Sequence, residues 1–133
     1  MLNRILFIGL GGAGQRHLSL FRENLPNVDL IAYRSANKTP LLNSDFSVNQ
    51  NESIEDVYQI KIYNNLKEVL ALKPDLVVIS TPSSMHLEYA QLCAEKGIDV
   101  FVEKPISNSL KGLQTLRDTV ERKHVAIQVG FQR

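Results

Sequence analysis

The chain has 133 residues, 44% of them hydrophobic and 22% charged, which is enough for one globular domain with a real core. Its formal net charge of +1 gives no footing for a nucleic-acid or anionic-membrane partner, and no apolar segment approaches a membrane span. The lone cysteine, Cys93, excludes an intrachain disulfide, fits a reducing cytoplasmic compartment and reads as a small buried apolar side chain rather than a nucleophile.

The apolar run Ile5-Leu6-Phe7-Ile8 predicts a strand over about residues 4–8, and Gly9-Leu10-Gly11-Gly12-Ala13-Gly14 follows it directly. With Arg4 ahead of it, this segment resembles a secretory signal only superficially. The run is too short, and glycines break it where a signal's apolar centre continues. A helix is expected after Gly14, with Leu18, Phe21 and Leu25 on one face and Pro26 closing it. A second strand is expected over residues 29–33. Residues 43–53 are polar and rich in asparagine and read as a loop; Asn51-Glu52-Ser53 matches a glycosylation acceptor that a cytoplasmic chain leaves unused. Ile60-Lys61-Ile62-Tyr63 alternates and predicts a third strand, and residues 65–72 a short helix with Pro74 beyond its end. Leu76-Val77-Val78-Ile79-Ser80 reads as a fourth strand buried on both faces. Then come a helix over about 84–96 stopped by Gly97, a fifth strand over 99–102, a helix over about 109–122 capped by Ser107 or Ser109, and a sixth strand over 125–129.

Strands alternating with helices imply an α/β fold: a doubly wound parallel sheet of about six strands in the order 3-2-1-4-5-6, with a ligand crevice between the first and fourth strands. Function in such a sheet collects at the C-terminal strand ends, and four segments stand out there. Gly9, Gly11 and Gly14 have the spacing G-x-G-x-x-G, with Gly12 and Ala13 between the last two. The first glycine suits a tight turn, the second close approach of a pyrophosphate, the third close packing of helix on strand. Alone the motif equally describes a turn without a ligand; the strand before it and the helix after it favour a dinucleotide.

The end of the second strand is the usual place for an acidic residue that binds a ribose 2′-hydroxyl. Here Tyr33 is followed by Arg34, Ser35 and, shortly after, Lys38, with no carboxylate. These residues suit a 2′-phosphate, so NADP is favoured with NAD still possible; the same residues also describe an ordinary solvated basic loop. After the fourth strand, Thr81, Pro82 and Ser83 can cap the next helix or contact a ribose, and His86 falls in its first turn, near the crevice or simply on the surface. At the end of the fifth strand stand Glu103-Lys104-Pro105. A partly buried lysine held in this way polarises or deprotonates a hydroxyl, although in isolation the triplet reads as a surface charge pair before a loop.

Taken together, Gly9 to Gly14, Thr81-Pro82 with His86, Glu103-Lys104-Pro105 and the terminal Val129-Gly130-Phe131-Gln132-Arg133 resemble, in order and spacing along nearly the whole chain, the N-terminal domain of the glucose-fructose oxidoreductase / inositol dehydrogenase (Gfo/Idh/MocA) family of NAD(P)-dependent sugar oxidoreductases. Residues 39–59 fit least, as a segment longer than the family usually has. The resemblance implies that Lys104 is the catalytic lysine contacting the substrate hydroxyl, that Glu103 lies near the nicotinamide ribose, and that the Lys104–Pro105 bond is cis. It also implies that Thr81, Pro82 and Ser83 line the ribose and nicotinamide side with His86 close by, and that Gln132 and Arg133 lead towards a substrate domain. That second domain, with the substrate contacts and usual oligomer interface, is not in the sequence, so the expectation is a cofactor-binding unit, residues 1–133, with little or no turnover of its own. The parent reaction implied is oxidation of a CH–OH group on a sugar, cyclitol or related polyol; no metal is expected. A non-catalytic dinucleotide-binding regulatory or interaction module is the alternative, and another Rossmann ligand such as FAD or S-adenosylmethionine a third.

Overall fold

A computed structural model of the chain describes residues 2–34, 41–43, 45, 47–107 and 109–130. In chain order the elements are β1 (Arg4–Ile8), α1 (Gly12–Asn24), β2 (Asp29–Tyr33), β3 (Leu41–Leu42), β4 (Val48–Asn49), α2 (Ile54–Tyr58), β5 (Lys61–Tyr63), α3 (Leu66–Leu70), β6 (Leu76–Ile79), a 3-10 turn (Ser83–Met85), α4 (His86–Glu95), β7 (Asp99–Glu103), α5 (Leu113–Lys123) and β8 (Ile127–Gly130). Six of the strands form one sheet in the order β5-β2-β1-β6-β7-β8, and every pairing within it is parallel. This is the doubly wound α/β sheet the alternating pattern implied, in the expected strand order.

Because successive strand residues face opposite sides, each central strand feeds two cores. Leu6, Ile8, Ile31, Val77, Ile79, Val100 and Val102 turn to one side, where α3, α4 and α5 supply Val69, Ala90, Cys93, Ala94 and Leu116. Ile5, Phe7, Leu30, Ala32 and Val78 turn to the other, against Leu18 of α1 and Ile54 of α2. Phe7 and Phe21 meet there edge-to-face at 5.7 Å. Cys93 is fully buried, and burial pushes its thiol up to about 12, so it serves as packing.

The structure corrects four local expectations. Helix α1 starts at Gly12 rather than after Gly14, with extended Gly11 as its N-cap, so Gly12 and Ala13 belong to its first turn. Residues 43–53 are not merely a loop: β3 and β4 pair antiparallel, and Leu42 N–H donates to Gln15 Oε1 at 2.8 Å, pinning the excursion to α1. Helix α2 was not anticipated, though Ser53 and Asp56 carry its signal: Ser53 Oγ accepts from Asp56 N–H at 3.2 Å. Helix α5 is capped neither by Ser107 nor by Ser109; it begins after Gly112, which has φ +85°, while Ser109 N–H donates to Ser107 Oγ at 3.2 Å within the preceding loop. Elsewhere the C-terminal stop at Gly97, with φ +76°, is as expected, and Asn65 caps α3 through Glu68 N–H at 3.0 Å. Among the described residues no helix is long and apolar enough to cross a membrane.

Candidate functional site

In this sheet the strand order reverses at β1, whose neighbours are β2 and β6: successive strands are added on one side of it and then on the other. The crevice at their C-terminal ends is where an open parallel sheet takes a ligand. Four segments reach that edge: residues 9–14 after β1, Tyr33-Arg34 at the end of β2, residues 80–86 after β6, and residues 103–105 at the end of β7.

The glycine segment divides its labour by position. Gly9 has φ +103°, and a Cβ on it would lie 2.8 Å from the Ser80 carbonyl carbon and 2.9 Å from the Thr81 nitrogen, both backbone atoms. Gly14 lies under the same turn: a Cβ there would fall on the Gly9 carbonyl oxygen and 2.7 Å from Ser80 Oγ. Gly11 is the opposite case, exposed, with nothing within 4 Å of where its Cβ would stand. Two glycines therefore close the strand-to-helix turn, and the third leaves clear space at the start of α1. No side chain caps that helix, and its first turn carries no acidic residue. The N–H groups of Gly12, Ala13 and Gly14, which lack intrahelical acceptors, and the positive end of the helix dipole are thus left for an anion. A dinucleotide pyrophosphate fits that cradle.

The other segments are tied to this one and to each other. Ser80 Oγ–H donates to the Gly9 carbonyl at 3.1 Å, and Ser80 N–H to Ile8 O at 2.9 Å. Pro82 ends the strand geometry and Met85 N–H returns to its carbonyl at 2.9 Å, so Ser83 lies in a 3-10 turn ahead of α4; Thr81 Oγ1–H reaches only the Pro82 carbonyl, at 3.4 Å. His86 does not present a free ring to the crevice. It is 2% exposed, with Nε2 2.6 Å from Thr81 O and Nδ1 2.7 Å from Pro105 O. The Lys104–Pro105 peptide bond is cis.

Glu103 is buried, and its carboxylate contacts Nε2 of His17 on α1. His17 also stands edge-to-face on Phe101, with ring centroids 5.2 Å apart. Spacing in the sequence gave no sign of His17, because its partner is 86 residues away. Lys104, against the expectation of partial burial, is exposed and makes no hydrogen bond or ion pair with any described residue. At the β2 end, Tyr33 packs against the core on the α4 side and Arg34 N–H donates to Tyr63 O at 3.0 Å. Ser35 and Lys38, and with them Gln132 and Arg133, lie outside the described residues.

A family model described as "Oxidoreductase family, NAD-binding Rossmann fold" (GFO_IDH_MocA) matches residues 3–131. The glucose-6-phosphate 3-dehydrogenase of Bacillus subtilis (strain 168) is 28% identical over 131 residues, a match covering 98% of this chain and 34% of that protein. The scyllo-inositol 2-dehydrogenase (NAD(+)) of the same organism is also 28% identical, over 130 residues, covering 98% of this chain and 36% of its own length. Among solved structures, myo-inositol 2-dehydrogenase from Lactobacillus plantarum superposes with a TM-score of 0.75 at 23% identity, over 98% of this chain and 36% of that one, a likeness of fold. The chain thus spans about a third of the length of the curated relatives it matches.

Proposed function

Since the chain belongs to the GFO_IDH_MocA oxidoreductase family and matches its NAD-binding Rossmann fold, we propose that it is the cofactor-binding domain of an enzyme that oxidises a CH–OH group on a sugar, cyclitol or small polyol, with NADP as the preferred dinucleotide. The observation that carries this reading is the convergence on one sheet edge of an open glycine cradle and a lysine, Lys104, two strands away, that has no partner among the described residues. Two relatives of similar likeness are a sugar-phosphate dehydrogenase and an inositol dehydrogenase, which supports the substrate class.

In this reading the bound nicotinamide supplies the hydride acceptor. Gly11, Gly12, Ala13 and Gly14 hold the pyrophosphate through backbone N–H groups at the start of α1. Thr81, Pro82 and Ser83 line the ribose and nicotinamide side. Lys104, projecting from the end of β7, orients and activates the substrate hydroxyl; with no partner among the described residues, its ammonium donors are available. Glu103 lies beside the nicotinamide ribose. At the adenosine end Tyr33 and Arg34 read the 2′ position, together with Ser35 and Lys38 that follow them in the sequence. The preference for NADP rests on the absence of a carboxylate at that strand end and on the guanidinium next to it. Because the relatives are about three times as long, the proposal assigns this segment tight dinucleotide binding and little turnover.

Calorimetric titration of the chain with NADP and with NAD tests the cofactor choice. NADP is expected to bind at least about tenfold tighter, a gap of about 1.4 kcal/mol. Arg34→Ala should remove most of that gap by weakening NADP; equal losses for the two dinucleotides would refute the role of Arg34.

A further inference from the structure

Lys104 has no side-chain partner among the described residues, yet the residues on both sides of it are gripped. Glu103 is held by His17, whose side chain is 16% exposed against 11% for the glutamate. Pro105 is held through its carbonyl by Nδ1 of His86, which is 2% exposed. The two histidines come from different elements on opposite faces of the sheet. His17 belongs to α1, the helix whose N-terminus forms the glycine cradle; His86 opens α4 and also holds the carbonyl of Thr81. Phe101, on the same strand as Glu103 and two residues before it, braces the His17 ring edge-to-face.

We propose that His17 and His86 are positioning residues that fix the backbone of Lys104 from both sides, so that an otherwise free lysine side chain is aimed at the nicotinamide end of the crevice. The proposal rests on the dinucleotide reading above. Each grip also links Lys104 to another part of the same edge: His17 joins it to the glycine turn, and His86 joins it to Thr81. Neither histidine reaches substrate or cofactor in this account. A carbonyl oxygen only accepts, so a ring nitrogen of His86 that carries a proton donates to the carbonyl it faces, Nδ1–H to Pro105 O or Nε2–H to Thr81 O, and the Glu103 carboxylate accepts from His17. A side chain with one amide in place of the ring can keep only part of this. Asparagine offers a donor near the Nδ1 position and would keep the Pro105 contact; glutamine offers one near Nε2 and would keep Thr81 instead.

The test compares two ligands that differ only in the nicotinamide riboside, NADPH and 2′-phospho-ADP, titrated into the chain and its variants. His17→Phe retains an aromatic ring beside Phe101 and loses the donor to Glu103; His86→Ala loses both carbonyl contacts. Each is expected to weaken NADPH about fivefold to tenfold, the effect of losing one or two net hydrogen bonds, with 2′-phospho-ADP unchanged within about twofold. His86→Asn should recover most of the NADPH affinity and His86→Gln little of it, a split that remains readable if the alanine variant does not fold. Variants that weaken both ligands alike, that weaken neither, or an Asn and Gln pair that behave identically would overturn the brace. A parent chain that binds neither ligand would overturn the dinucleotide reading and the brace with it, while a parent that binds both isolates any failure to the brace alone.

Discussion

At the glycine turn, three residues of one type meet three different physical demands. Gly9 needs a left-handed backbone angle beside the start of the β6 loop, Gly14 needs to pack on the Gly9 carbonyl, and Gly11 needs neither, since open space surrounds it. Substitution should therefore separate folding from binding. Gly14→Ala places a methyl against backbone with no room to yield, and should cost about 1–3 kcal/mol in thermal or urea unfolding. Gly11→Ala adds a methyl to empty space at an extended φ of −75°, and should leave stability within about 0.5 kcal/mol while lowering dinucleotide affinity at least about tenfold. Unfolding curves and titrations on the two variants check both halves; a Gly11→Ala protein that binds as well as its parent would remove that residue from the pyrophosphate site. The spacing of the glycines was legible because it expresses a backbone requirement local to six residues. The His17–Glu103 and His86–Pro105 contacts were not, because each pair is brought together by the sheet rather than by sequence neighbourhood.

Between elements, the edge opposite the crevice has its own fixings. Arg22 of α1 donates to the carbonyls of Tyr58 and Gln59 at 2.8 and 3.1 Å, and to those of Pro26 and Val28 at 3.1 and 2.9 Å, so one guanidinium joins the end of α1, the turn into β2 and the end of α2. Asp75 joins the entries of β1 and β6: its carboxylate accepts from the N–H groups of Asn3 and Arg4 at 2.8 and 2.9 Å. These two bonds hold its pKa below the ordinary 3.8. A carboxyl whose pKa is lower folded than unfolded stabilises the fold above its unfolded value, and that contribution is lost as pH falls through the folded one. Asp75→Asn should therefore melt below its parent near pH 7, with the difference shrinking once the pH drops below 3.8; parallel melts across that range check it, and a difference independent of pH would point to a cause other than the charge. The strands were legible at this scale because a buried parallel strand is a short apolar run. The caps were less so. Ser53 and Asp56 do carry a start signal for α2, but it sits inside an asparagine-rich stretch that reads as loop, and the start of α5 depends on a left-handed glycine rather than on the serines before it.

For the molecule as a whole, the strand order was legible because alternating strands and helices with parallel pairing leave few arrangements, and the reversal about β1 follows from that order alone. What the sequence left open is how the four strand-end segments are joined. They form one connected edge: Ser80 reaches Gly9, His86 spans Thr81 and Pro105, and His17 ties the glycine helix to Glu103. The opposite edge carries a separate groove between Lys67, Lys73, Lys96 and their neighbours, far along the strands from the glycine cradle. The account's central claim, a dinucleotide laid along the C-terminal edge from Arg34 to Lys104, is tested most directly by following backbone amide resonances during titration with NADPH. Saturable shifts should appear at residues 9–14, at Tyr33 and Arg34, at Thr81, Ser83 and Ser84, and at Glu103 and Lys104, with Lys73, Lys96 and Gly97 unmoved. Absence of saturable shifts, or shifts gathered at the lysine groove on the other edge, would contradict it.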